Sequence, residues 1–490
     1  MKKKIYCISI LATTCCLWPG TSIAKKPNIV IIYMDDMGFG DIETYGMNGV
    51  PTPNLNRFAS QGIRFTNFEA AQPISTASRA ALLTGCYPNR VGMGGVLLWG
   101  DRYALNPKEE TLAKLLKDNG YYTGAFGKWH LGNQPPYFPT SYGFDEFVGI
   151  PYSHDMWPIG YDGYTKVTDP KLNKSHNPTL KIYKGFTPID SIVNIDGTAK
   201  LTTFFTEQAV SFIKRNKENP FFLYLAHPLP HVPLAVSDKF KGKSKRGLFG
   251  DVIMEIDWSV GQVMKTLDKY GLSKNTIVIF ASDNGPWLTF GNNAGSTNGL
   301  REGKQTTYEG GNRVPFMIRW PGHFQPGRVC GELMTNMDVL PTIVEATNSK
   351  LPKKRIDGVS YLNFLEGKTN IVPRKVMYYY YINMAKPRSE RNDLEAVRYD
   401  NWKLVFPHTY LSVDVDGGIG KNGYPGKPKI LSTQMALYDL SHDQGERYNI
   451  ISLYPEITQK LLKIADEARS DLGDDLTSTP GKNIRPAITY

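Results

Sequence analysis

The sequence predicts an α/β fold: a large, mostly parallel sheet flanked by helices, plus a smaller C-terminal subdomain with a short antiparallel sheet and a helix. Three observations carry this expectation. Short apolar runs break off abruptly into polar residues, as parallel strands covered on both faces do. Segments with apolar residues spaced near 3.6 lie between them, and that alternation implies a doubly wound sheet. After about residue 370 the pattern changes to shorter strands separated by turns.

The expected strands of the large sheet follow in order. Asn28 to Met34 reads NIVIIYM and leads into Asp35-Asp36; Tyr121 to Phe126 reads YYTGAF and leads into GKWH. Phe221 to Ala226 reads FFLYLA before a loop with His227 and His231, and Thr276 to Ser282 reads TIVIFAS before Asp283-Asn284-Gly285. Helices are expected at Thr111 to Asn119, with Gly120 as C-cap, at Thr198 to Lys214 and at Gly250 to Tyr270. A shorter one is expected from about Ser78 to Leu83, with Ser75 at its entrance. In the C-terminal part, Val376 to Met384, Glu395 to Phe406 and Ala436 to Leu440 read as antiparallel strands. Asp416 to Lys427 reads as a glycine-rich loop and Ser452 to Leu472 as an amphipathic helix. The expected division is therefore a leader at 1–24, a main domain at 25–370 and a subdomain at 371–490.

The leader rests on Lys2, Lys3 and Lys4, an apolar run from Ile5 to Trp18, and Ser22-Ile23-Ala24. These are the basic region, apolar region and small-residue cleavage site of a signal peptide, so the chain is expected to be exported, periplasmic or secreted. A lipid anchor through Cys15 or Cys16 fits less well, because Thr13 and Thr14 precede them. No later stretch reaches about 18 apolar residues, so no transmembrane segment is expected in the mature chain. Three of the five cysteines fall in the leader; Cys86 and Cys330 remain, which excludes a disulfide framework and a thiolate metal cluster. The formal charge of +11 becomes +8 once the three leader lysines are removed. A basic balance favours polyanionic partners. The absence of zinc-finger spacing, an aromatic RNP-like stretch or a long Lys/Arg block argues against nucleic acid.

In an open parallel sheet the ligand site lies outside the carboxyl ends of the strands. The polar residues there are thus expected to converge. Asp35, Asp36, Asp283 and Asn284 offer three carboxylates and an amide oxygen, which suit Ca²⁺ or Mg²⁺. Either pair alone reads better as a turn or a helix N-cap; both pairs, each at the carboxyl end of an apolar strand, point to a metal site. Arg79, Lys128, His130, His231 and Lys304 form a second, basic set suited to a tetrahedral oxyanion, with histidine as acid or base. Ser75, in STASRAALLTG, sits where a helix N-terminus favours an anion. Unmodified, it needs an adjacent base to be a strong nucleophile. Composition and spacing reach metal-assisted oxyanion chemistry and no further.

At this point the chain resembles the formylglycine-dependent sulfatases of the alkaline phosphatase superfamily, in particular the arylsulfatase A and N-acetylgalactosamine-6-sulfatase type. Ser75 to Arg79 (STASR) with Leu82-Leu83-Thr84-Gly85 fits the family signature. Further matches are GKWHLG at Gly127 to Gly132, GIPYSHD at Gly149 to Asp155, SDNGP at Ser282 to Pro286 and GKQTTYEGGNRVP at Gly303 to Pro315. The resemblance implies an alkaline-phosphatase-like fold and oxidation of Ser75 to formylglycine (3-oxoalanine), whose hydrate is the nucleophile. It implies one Ca²⁺ held by Asp35, Asp36, Asp283, Asn284 and the modified residue. Arg79 and Lys128 would hold the hydrate, and His130 would be the base that releases sulfate. Lys128, His231 and Lys304 would contact sulfate, His231 or Lys304 protonating the leaving alcohol, and Ser153 would touch sulfate or leaving group. Serine at position 75 resembles the bacterial variant of the family, which implies maturation by a radical S-adenosylmethionine enzyme. The implied substrate is a sulfated carbohydrate, such as galactose or N-acetylgalactosamine of mucin or glycosaminoglycan. Two other readings are a phosphatase or phosphodiesterase on the same fold, and a non-catalytic sulfated-glycan-binding protein with unmodified Ser75.

Overall fold

Every residue of Asn28–Met34 is buried, and this strand is central to a sheet that sorts its side chains strictly by alternation. Ile29, Ile31 and Tyr33 enter one core layer, while Val30, Ile32 and Met34 enter the other. The first layer is closed by the helices Ser75–Thr84, Leu112–Asp118 and Val339–Ala346, the second by Leu201–Arg215 and Gly247–Lys269. Both faces are covered, which is why the strand is apolar from Ile29 to its end apart from the Tyr33 hydroxyl. Asn28 at its start is buried, with its side chain hydrogen-bonded to Thr276 and the Phe221 amide. The computed structural model describes residues 1, 25–381, 392–414 and 417–490.

Ten strands form the large sheet, in the order Arg328–Cys330, Ile63–Phe65, Phe316–Arg319, Thr276–Ser282, Asn28–Met34, Phe221–Ala226, Tyr122–Lys128, Glu146–Ile150, Leu180–Lys184, Thr187–Ile192. From Thr276–Ser282 to Glu146–Ile150 neighbouring strands run parallel. Antiparallel pairings extend the sheet beyond both ends of this block, and at one edge Arg328–Cys330 pairs parallel with Ile63–Phe65. These flanking strands were not anticipated. The outermost, TPIDSI at Thr187–Ile192, is exposed along most of its length and lacks the apolar run that marks an interior strand.

The C-terminal part holds a four-stranded antiparallel sheet in the order Val376–Tyr381, Asp393–Tyr399, Trp402–Val405, Ala436–Asp439. The helix Pro455–Leu472 packs on it through Leu461, Ala465, Ala468 and Leu472. The stretch Glu395 to Phe406 holds parts of two of these strands, which pair antiparallel across a turn at Asp400, whose φ is 51°. His408–Ser412 pairs with Lys429–Thr433, and the segment between them, described from residue 417, is the glycine-rich loop. The chain then returns to the large sheet's side, where Ile488–Thr489 pairs with Tyr103–Ala104.

The helix expected from Ser78 begins at Ser75. Ile74 is extended, and its carbonyl accepts the Ser78 amide at 3.0 Å, so Ser75 lies in the first turn. Cys86 and Cys330 are buried and free. The stretch expected to be a signal peptide, 1–24 with Cys7, Cys15 and Cys16, lies outside the described residues except for Met1, as do Ile382 to Met384 and Asp416. Among the described residues no helix is long and apolar enough to cross a membrane.

Candidate active site

The parallel register aligns the carboxyl ends of four strands. Met34 lies opposite Ser282, Tyr33 opposite Ala226, and Ala226 opposite Gly127. The residues just past those ends therefore meet: Asp35 and Asp36, Asp283 and Asn284, Lys128 and His130, and His231. Ser75 joins them from the N-terminus of its helix, whose ten residues are all buried. Its Oγ donates to Asp35 Oδ1 at 2.8 Å and accepts from Lys128 Nζ at 3.1 Å.

Carboxylate oxygens of Asp35, Asp36 and Asp283 lie within 4.8 Å of one another, all buried. The Asn284 Nδ2 donates to Asp36 Oδ1 at 2.7 Å, and the Asp36 amide to Asp283 Oδ1 at 3.1 Å. Asp36 and His130 hold left-handed φ values of 62° and 66°, strain that persists where the surroundings over-determine a residue.

The cations interleave with this cluster. Arg79 is fully buried and donates through Nε and Nη2 to Asp283 Oδ2 at 3.0 and 2.8 Å, with Nη1 on the Lys128 carbonyl at 3.4 Å. Lys128 Nζ donates to Asp35 Oδ2 at 2.7 Å and to Ser153 Oγ at 3.4 Å. Lys304 Nζ donates to Asp36 Oδ2 at 2.8 Å. Burial alone would raise all three carboxylates. Lys128, His231, Arg79 and Lys304 overcome it at Asp35 and hold that group well below its ordinary value. Burial prevails at Asp36, against Lys304, and at Asp283, which is pushed up to about 6 despite Arg79. Burial also lowers the Lys128 ammonium despite Asp35, whereas Asp36 and Asp35 raise Lys304 against its burial. Three carboxylates face three cations, so a divalent ion would leave the centre net positive, as binding of an anionic group requires.

The two site histidines have assignable tautomers. His130 Nε2 lies 2.8 Å from the Leu97 carbonyl, which only accepts, so Nε2 carries the proton and Nδ1 the lone pair. Nδ1 is buried without a partner, and burial together with Lys128 holds the ring well below its ordinary pKa. That is a neutral base with an open acceptor. His231 Nδ1 donates to the Val232 carbonyl at 2.5 Å, leaving Nε2 3.3 Å from Ser153 Oγ and 3.5 Å from Asp36 Oδ2. Burial, aided by Lys304, pushes His231 down to about 4. His227 points elsewhere, with Nε2 2.9 Å from Ser259 Oγ and burial lowering it to about 3; it is a core histidine.

The structure adds His154 and Trp287, which sequence reasoning did not single out, and brings to them Asp155, the first residue of a loop, Asp155 to Tyr164, expected to contact substrate. The His154 ring centroid lies 5.7 Å from that of His231, and Asp155 beside it has a buried oxygen with no hydrogen-bond partner. Trp287 lies 5.6 Å from His231 by ring centroid, with Lys304 Nζ 4.4 Å above its face. His154 and Asp155 end the GIPYSHD match and Trp287 follows SDNGP directly, so adjacency to those motifs was a usable signal. The Leu97 carbonyl had none.

A family model described as sulfatase matches residues 27–349. The chain belongs to the sulfatase family. Models for the C-terminal regions of N-sulphoglucosamine sulphohydrolase and of aryl-sulfatase match residues 302–415 and 372–488. This sulfatase is 37% identical to arylsulfatase A of Bos taurus, over 92% of this chain and 88% of that one. It is 40% identical to N-acetylgalactosamine-6-sulfatase of Rattus norvegicus over 86% of this chain and 81% of the relative. It is 33% identical to N-acetylgalactosamine-6-O-sulfatase of Bacteroides thetaiotaomicron over 91% and 94%. Among solved structures, the PsFucS1 sulfatase from Pseudoalteromonas sp. superposes with a TM-score of 0.79 at 27% identity, covering 94% of this chain and 92% of that one. The sulfatase is thus a sulfuric ester hydrolase of the alkaline-phosphatase-like fold. Its family generally uses formylglycine and a metal ion, and the buried aspartate cluster is suited to hold one.

Proposed function

We propose that Ser75 is the precursor of formylglycine and that this sulfatase removes sulfate from O-sulfated sugars, with one Ca²⁺ at Asp35, Asp36, Asp283, Asn284 and residue 75. The observation that carries the reading is the placement of Ser75 Oγ between Asp35 at 2.8 Å and Lys128 at 3.1 Å, at a buried helix N-terminus. When present, formylglycine supplies a geminal-diol nucleophile, which a lone serine hydroxyl beside a carboxylate does not.

The chain's own groups have separable tasks. Arg79, locked on Asp283, and Lys128 orient residue 75 and supply positive charge. His130 accepts a proton at Nδ1, as its Nε2–Leu97 bond supports. Lys128, Ser153, His231 and Lys304 bind sulfate oxygens. Lys304, held charged by Asp36 and Asp35, or His231 once its Nε2 has taken up a proton, protonates the leaving sugar oxygen. The sugars proposed are galactose and N-acetylgalactosamine of mucin or glycosaminoglycan chains; the names of the relatives support the second of these, N-acetylgalactosamine. The proposed organisation is a signal peptide at 1–24 directing export, a catalytic domain at 25–370 and a subdomain at 371–490, with maturation of Ser75 by a radical S-adenosylmethionine enzyme.

In the native host, the peptide spanning Ser75 is expected to be two hydrogens lighter than its serine form by mass spectrometry. Fully unmodified peptide, with no sulfate released from a panel of monosulfated sugars differing in sulfate position, would overturn the reading. Chelation is expected to lower sulfate release at least about 100-fold, with recovery on adding Ca²⁺. At about 100 times its Kd, Ca²⁺ should add ~2.7 kcal/mol to unfolding free energy, seen as a raised melting temperature, and Asp36→Asn should blunt that rise. Full activity in strong chelator would rule out the ligand set.

A further inference from the structure

An aromatic series leads away from the active site. Trp287 carries the Lys304 ammonium on its face at 4.4 Å and lies 5.6 Å from His231. Its ring centroid is 4.9 Å from Phe290, Phe290 is 6.2 Å from Tyr161, and Tyr161 is 5.8 Å from Tyr424. Trp287 is half-buried and Phe290 is buried beneath, while Tyr161 and Tyr424 at the outer end are 44% and 53% exposed.

Three separate segments were brought together to make it. Trp287 and Phe290 follow the strand Thr276–Ser282, Tyr161 lies beyond GIPYSHD, and Tyr424 belongs to the glycine-rich loop of the C-terminal part. That loop is fastened to the catalytic part by backbone bonds from Gly420 and Gly426 to the Thr289 carbonyl at 2.8 and 2.7 Å. Asn422 and Asn292 add two more, at 2.8 and 2.9 Å. Gly291, with φ 55°, permits the approach, since a Cβ there would lie 2.0 Å from the Gly420 carbonyl oxygen. Large aromatic side chains left exposed beside a catalytic centre mark a ligand surface.

We propose that Trp287, Tyr161 and Tyr424 form one wall of a subsite for the sugar unit joined to the sulfated one, so that the preferred substrate is an acidic oligosaccharide. The inference rests on the sulfated-sugar reading above and extends it. Its direction follows from Lys304 and His231, the groups assigned to the leaving hydroxyl: the wall starts where the leaving sugar sits and continues to where its neighbour must lie. A sugar ring presents an apolar C–H face with hydroxyls at its rim. Tyrosine matches it with a π face, electron-rich toward those C–H groups, and a phenol that stays in water. The acidic preference comes from Lys174, whose Nζ is 5.5 Å from the Tyr161 ring centroid, and from exposed Lys421 across a tight turn from Tyr424. The carbonyl of Asp155 accepts from Lys174 at 2.8 Å, holding that cation at the wall.

The test compares two substrates: the monosulfated monosaccharide that the wild type cleaves fastest, and a tetrasaccharide with the same sugar at its non-reducing end and a uronate next to it. Wild-type kcat/KM is expected to favour the tetrasaccharide. Tyr161→Ala and Tyr424→Ala should each lower the tetrasaccharide-to-monosaccharide ratio of kcat/KM by roughly threefold to tenfold, mainly through KM, and Tyr161→Phe should restore it. A ratio unchanged in both alanine variants, or a wild type with no preference for the tetrasaccharide, overturns the subsite and leaves the sulfated-sugar reading standing. A wild type whose residue 75 is matured but which releases sulfate from neither sugar overturns both.

Discussion

Ser75→Ala is expected to lower sulfate release at least about 10⁴-fold, with the protein still folded. The variant removes one oxygen from a packed, fully charged centre. Asp35 keeps Lys128 at 2.7 Å and Arg79 at 3.6 Å, so no carboxylate is stranded, and Asp283 keeps both Arg79 contacts. The helix Ser75–Thr84 starts from an extended Ile74 without a side-chain cap, so Ser75 contributes no cap that alanine would delete. Loss of one hydroxyl in buried hydrogen bonds costs about 1 kcal/mol, too little to unfold a domain of this size. Activity and stability therefore separate. Sulfate release within tenfold of wild type, with a normal melting temperature, would remove Ser75 from the chemistry altogether.

The parts of this architecture that could be read in the sequence are those where one physical demand dominates. Asn28–Met34, Phe221–Ala226 and Thr276–Ser282 were bounded correctly at both ends, because strands buried on both faces must be apolar throughout and the site demands polar residues immediately after. The same rule places Asp35, Asp36, Asp283, Lys128 and His231 at one edge of the sheet, and the structure brings them together. Other features are set by backbone partners or by packing, which leave no residue-type signal. The His130 tautomer depends on the Leu97 carbonyl, and every residue has a carbonyl. Trp287 reads as an ordinary aromatic until Lys304 and His231 are seen against its ring. Arg79 was expected against the nucleophile's hydrate, yet its hydrogen bonds fasten Asp283 and the Lys128 carbonyl. Strand Thr187–Ile192 has solvent on most of its side chains, so no apolar pattern was required of it.

Lys403→Ala is expected to destabilise the protein by about 3–5 kcal/mol, far more than any exposed lysine. Lys403, on the strand Trp402–Val405, is fully buried and donates to the Thr307 carbonyl at 2.8 Å and Glu309 Oε1 at 3.0 Å, with Glu446 Oε1 2.8 Å away. Glu309 depends on Arg313, Lys403 and Arg398 to overcome burial and stay ionised, down at about 2, while burial pushes Glu446 up to about 7 in spite of Lys403. Removing the ammonium leaves two buried carboxylates with too little positive charge. The consequence extends to catalysis, because Glu309 follows Lys304 by five residues and its amide is held by Glu446 Oε2 at 2.7 Å. A parallel clamp, Arg398 on Glu69, holds the segment leading to Ser75. The C-terminal sheet thus grips both chain segments that deliver Ser75 and Lys304. Urea midpoints should therefore fall in Lys403→Ala, and kcat should fall with them below the unfolding range. Lys403→Met with Glu446→Gln should recover at least about 1 kcal/mol relative to the summed single variants. A loss below about 1 kcal/mol for Lys403→Ala would mean that the buried charges are compensated elsewhere and that the C-terminal sheet does not support the site through them.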